Sequence, residues 1–146
     1  MAHNPTHDPD PDAGFPMPVG AGLAGAASPG PLVAPQLLAL ARRIADARPA
    51  LDRAFGRGLC TNPPLNILLD LFIAGEDGRN VTIKSACVAA GAPQSTALRH
   101  IAHLIDLGLA VRSQHPSDAR SAFLRLSDRG RTRMLEFLAQ AAHPGA

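Results

Sequence analysis

"GAPQSTALRHIAHLIDLGLAVR" spans Gly91 to Arg112. Gly91 and Gly108 bracket a stretch of helical periodicity that runs from about Pro93 to Leu107. Leu98, Ile101 and Ile105, with Leu104 beside them, recur at three- and four-residue spacing and are expected to form its buried stripe. Gln94, Ser95, Arg99, His100, His103 and Asp106 fall on the other faces. Gly108 suits the left-handed position that follows a helix. Upstream, "NVTIKSACVAAG" (80–91) opens with β-branched Val81, Thr82 and Ile83, then becomes a short Ala-rich helix ending at Gly91. Thr82 is its expected cap. Two helices joined across a tight glycine turn make a helix-turn-helix.

Downstream, "LAVRSQ" (109–114) and "AFLRLS" (122–127) alternate apolar and polar positions, as paired strands do. Leu109, Val111, Leu124 and Leu126 are expected to face the core. "HPSDARS" (115–121) joins the strands, and Pro116, Ser117 and Asp118 are turn-forming residues. Ser127 is placed to cap a last helix, "DRGRTRMLEFLAQAA". Met134, Leu135, Leu138 and Ala141 are available there to pack inward or against a partner chain.

Two helices precede this unit. "APQLLALARRIADARPALDRAFG" carries Leu37, Leu40, Ala41, Ile44, Leu51 and Phe55 on one face, and Pro49 is expected to break or kink it. "TNPPLNILLDLFIAGEDG" is a second, capped by Thr61 or Asn62, with proline tolerated in its first turn. Residues 1–34 hold seven prolines from Pro5 to Pro31 and little apolar bulk, and are expected to form a disordered tail. The fold class that follows is mainly α with a small β-hairpin. It is a winged helix-turn-helix flanked by N- and C-terminal helices, in one domain over residues 35–146.

Charge is unevenly spread. The chain has 14 Lys and Arg against 12 Asp and Glu. From Ser95 to Arg133, seven arginines face only Asp106, Asp118 and Asp128, so this region is basic within a nearly neutral chain. Arginine offers a planar fork to phosphates and base edges. Two cysteines, Cys60 and Cys87, set no disulfide framework, and no C-x-x-C occurs. No apolar run is long enough for a membrane span, and the acidic N-terminus does not read as a signal peptide. A cytoplasmic location is expected.

The order helix, short strand, helix, helix, strand, tip, strand, helix resembles the multiple antibiotic resistance regulator (MarR) family of bacterial transcription factors. The matching residues are Val81–Thr82, Gly91–Arg112, "DAR" at Asp118–Arg120 and "LRLSDRG" at Leu124–Gly130, and the resemblance covers about residues 62–138. It implies sequence-specific binding of duplex DNA by a homodimer, with the terminal helices at the dimer interface. Leu37–Phe55 and Met134–Ala141 are the segments for that role, both shorter than the family's long helices. No effector or ligand-binding residue is carried over.

The residues point the same way. A recognition helix needs a core stripe on one side and short polar or basic side chains near its N-terminus. Gln94, Ser95, Thr96 and Arg99 occupy that end, with His100 and His103 one turn further. Serine and threonine hydroxyls suit phosphate, glutamine suits adenine and arginine suits guanine. Arg120 at the wing suits the narrow minor groove and Arg112 the backbone. Asp118 is expected to orient Arg120 or to cap the turn.

His100, His103 and Asp106 could hold a metal, but no further Cys/His motif accompanies them, so neither metal nor cofactor is expected. Cys87 reads as a core thiol rather than a redox sensor. No nucleophile–base arrangement, phosphate loop or paired-carboxylate motif stands out, so an enzyme is not expected. The alternative is a winged-helix protein–protein interaction module using the apolar 37–55 helix and Phe123.

Overall fold

The computed structural model describes residues 34–118 and 120–145. The expected tail falls, through residue 33, outside the described residues.

Among the described residues, five helices and three strands follow one another as α1 (Ala34–Phe55), α2 (Pro63–Glu76), β1 (Val81–Thr82), α3 (Ile83–Ala90), α4 (Gln94–Asp106), β2 (Ala110–Gln114), β3 (Ala122–Leu126) and α5 (Asp128–Ala142). This is a winged helix-turn-helix between terminal helices. The hairpin is part of a three-stranded antiparallel sheet in the order β1-β3-β2. Val81 pairs with Leu124 and Thr82 with Phe123, which makes β3 the central strand.

Local chemistry sets the boundaries. Asn62 caps α2 by accepting the Leu65 N–H, ahead of prolines in the first turn. Thr82 Oγ1 accepts the Ser85 N–H at the start of α3, and Ser127 Oγ accepts the Gly130 N–H at the start of α5. Gly91 ends α3 with φ +69°, a left-handed conformation that glycine adopts without steric cost.

Pro49 does not end its helix, which continues to Phe55. The fixed proline φ is itself helical, and at this exposed position the ring removes only one backbone hydrogen bond.

Two clusters form the interior. One gathers Ile67, Leu71 and Ala74 of α2 with Val81, Ala86, Ala90, Ala97, Ile101, Leu104 and Leu124. The other gathers Leu69, Phe72 and Ile73 of α2 with Leu37 and Ala41 of α1 and Met134 and Leu138 of α5. Helix α2 is therefore the wall between them. Full burial of each large aliphatic or aromatic side chain stabilises the fold by about 1.5–3 kcal/mol.

The core differs from expectation in α4 and in β2. In α4 the buried stripe is Ala97, Ile101 and Leu104, while Leu98 is 42% exposed and Ile105 only packs against the cluster's edge. Ala97 wins because α3 and α4 approach through small residues, and Ala86, Ala90 and Ala97 are all fully buried. In β2 the core residue is Ala110 rather than Val111. Leu109 is buried but precedes the strand, so the two-residue alternation starts one position later.

Candidate nucleic-acid interface

Strand register decides what the wing presents. Ala110 pairs with Leu126, Arg112 with Leu124 and Gln114 with Ala122, so these six share one face of the hairpin. Near the core that face carries buried Ala110 and Leu124. Arg112, across from Leu124 on the edge strand, and Ala122 nearer the tip line a groove of about 370 Å³. The opposite wall of the groove is the start of α4, through Gln94 and Leu98, and α3 contributes Lys84, with Cys87 below.

The tip is a built turn. His115 N–H donates to the Ser121 carbonyl and Ser121 N–H to the Asp118 carbonyl, both at 3.1 Å. Asp118 Oδ1 accepts the Arg120 backbone N–H at 3.0 Å, an aspartate turn. Of the two expected roles for Asp118, capping the turn is the one observed. His115 Nδ1 accepts the Ser117 N–H at 3.1 Å, and its ring meets Phe123 at a centroid distance of 4.7 Å. These contacts fix the tip while the Arg120 side chain stays exposed at the groove.

The structure thus brings Gln94, Arg112, Asp118 and Arg120 together around one groove. Sequence reading missed Lys84 and Leu98 there. Lys84 is the chain's single lysine, and on the helix before the recognition helix nothing in its neighbourhood marked it. Three cations against one carboxylate make the groove electropositive.

The rest of the set lies around α4. At 100° per residue, Ser95, Arg99 and His103 follow one another on the outer face, and all three are exposed. Thr96 and His100 lie on the flank away from the groove and are half-buried. No side chain caps the first turn of α4, whose N-cap position is Pro93. Its leading N–H groups, at the positive end of the helix, therefore point outward.

Burial pushes the Cys87 thiol upward from its ordinary pKa, which keeps it protonated and a poor nucleophile. Cys60 is exposed. Among the described residues no group of three His, Cys, Asp or Glu is placed to hold a metal ion, and no helix is long and apolar enough to cross a membrane.

No family model and no curated protein sequence matches the chain. Solved structures do resemble it. The heme-bound heme sensor protein PefR from Streptococcus agalactiae is 14% identical, with 76% of this chain and 78% of that one covered at a TM-score of 0.48. A probable transcriptional regulator from Pseudomonas aeruginosa is 23% identical over 73% of this chain and 75% of its own, with a TM-score of 0.46. Reduced AbfR bound to DNA is 20% identical over 74% and 75%, with a TM-score of 0.45.

Proposed function

We propose that this chain is a sequence-specific duplex DNA-binding transcriptional regulator, acting as a cytoplasmic homodimer. One observation carries the reading: the start of α4 and the wing enclose a single groove whose walls bear Lys84, Arg112 and Arg120. A basic notch between a projecting helix and a hairpin matches a phosphate backbone lying between a major groove and the next minor groove.

In this reading α4 enters the major groove. Gln94 and Arg99 reach base edges, Leu98 meets a thymine methyl, and Ser95, Thr96 and the uncapped amides of α4 bind phosphate. His103 follows Arg99 along the outer face, and His100 supports it from the flank. Arg120 enters the minor groove, while Arg112 and Lys84 hold the backbone between. Residues 35–146 act as the DNA-binding domain with its dimerisation helices, preceded by the 1–34 tail. Leu51, Phe55, Leu59 and Phe137 are exposed apolar side chains on the terminal helices and the loop after α1, and they suit a second copy. Two copies would read half-sites about 34 Å apart.

The test is selection of bound fragments from the source genome, followed by anisotropy titrations over a salt series. Affinity is expected to fall linearly with log salt, in proportion to the phosphates neutralised. Salt-independent behaviour, with a protein partner retained in pull-down, would instead establish the interaction-module reading.

A further inference from the structure

Leu37, Ala41, Ile44, Arg48, Leu51 and Phe55 recur along α1 at alternating four- and three-residue steps, and so form one stripe. Five are apolar and the fourth is a cation. Arg48 is half-buried, and its guanidinium reaches the C-terminal end of α3, where Nη1 donates to the Ala89 carbonyl at 2.8 Å. Asn66 Nδ2 of α2 donates to the next carbonyl, Ala90, at 3.0 Å. Last-turn carbonyls lack partners within their own helix, and they form its negative end. The backbone of Gly91 lies so close that a β-carbon there would overlap the Arg48 guanidinium.

The turn that Arg48 covers sets the direction of α4. The Ala97 N–H donates to the Pro93 carbonyl at 2.9 Å, only two residues beyond Gly91, and α4 has no side-chain cap of its own. Arg48 and Asn66, both outside α4, bond the carbonyls just before the turn that leads into it. Arg48 also lies one turn before Leu51 and two before Phe55, the exposed end of the same stripe.

We infer that Arg48 is a positioning residue that ties the helix-turn-helix turn to α1, so that displacement of α1 re-aims α4 against the wing. The inference rests on the DNA-binding reading and adds a route by which the terminal helices set the competence of the interface. Arginine suits the task because its planar fork spans a carbonyl and a flat stretch of backbone together, which a lysine ammonium does not.

The experiment compares wild type, Arg48→Ala and Arg48→Lys on two duplexes, one selected by wild type from genomic fragments and one scrambled, with amide exchange followed in parallel. Arg48→Ala is expected to lose about tenfold in affinity for the selected duplex and little for the scrambled one. Arg48→Lys should recover part of that loss. The hydrogen-bonded amides of Gly91 and Ala97 should exchange faster in Arg48→Ala while those of α2 keep their protection. Unchanged affinity for the selected duplex overturns the inference. So does an equal loss on both duplexes with uniformly faster exchange, which marks a general stability effect. A wild-type chain that binds neither duplex overturns the DNA-binding reading itself.

Discussion

The carbonyl oxygen of Leu109 stands where a side chain on Gly130 would begin. The same oxygen accepts the Ser127 N–H at 3.0 Å, and Ser127 Oγ donates to the Gly108 carbonyl at 2.6 Å while accepting the Gly130 N–H at 2.9 Å. The exit of α4 and the entry of α5 are thus one hydrogen-bonded junction with no room for a β-carbon. Gly130→Ala must push backbone against backbone. A loss of about 2–4 kcal/mol in urea unfolding is expected, against gains for alanine at open helical sites. A variant as stable as wild type would refute the close approach.

Arg120→Ala and Arg99→Ala should both weaken DNA binding, for different reasons. Arg99→Ala should cost about 1–3 kcal/mol and relax base preference, as loss of a base-edge contact does. Arg120→Ala should weaken binding with less change in major-groove preference. Lys84→Ala should lower affinity evenly across sequences and reduce the salt slope by about one. Anisotropy on matched and mismatched duplexes separates the three. Equal binding by wild type and both arginine variants would remove the site assignment.

Asp118 has two effects that substitution can separate. Its carboxylate caps the tip and also places a negative charge at the groove. Asp118→Asn keeps an oxygen for the Arg120 N–H and removes the charge, so affinity for duplexes in general should rise. Asp118→Ala removes both, and the freed tip should offset the electrostatic gain. If the two variants bind alike at low salt, the turn contact has no part in the interface.

Asp70 gives the fold a pH dependence. Its Oδ2 is buried without a hydrogen-bond partner, and desolvation raises the carboxyl pKa, partly opposed by the Arg79 cation. A raised folded-state pKa means that the folded chain holds this proton more tightly than the unfolded chain. The contribution is therefore most favourable at acid pH and is lost as pH rises from about 4 through the folded-state value. Asp70→Asn does not titrate. Its melting temperature relative to wild type should climb between about pH 4 and about pH 7. A constant difference across that range would show that Asp70 is not desolvated.

Much of this was legible in the residues, because caps and turns are local chemistry. Thr82, Gly91 and Ser127 announced their roles through side-chain oxygens and a left-handed backbone, and the helix order followed. Leu98 and Val111 depart from the expected core for a shared reason. Hydrophobicity ranks leucine above alanine and valine above alanine, but close helix approach and strand register gave the interior to Ala97 and Ala110. The pairing of Val81 with Leu124 joins residues distant in sequence, and two-residue β1 carries too little periodicity to reveal it. Of the candidate site, the α4 and wing residues could be named from spacing. Lys84 and Arg48 could not, since the partners that give them meaning are supplied only by folding.

Helix α2 lends alternate faces to both interior clusters, and its two sets of buried side chains interleave between Ile67 and Ala74. Neither cluster keeps a complete boundary if that helix melts. The chain should then lack a partly unfolded form in which one half survives, and heat or denaturant should remove both in a single transition. A lesion in that helix, at Phe72 for example, would reduce the population able to engage any target without altering the wing tip itself.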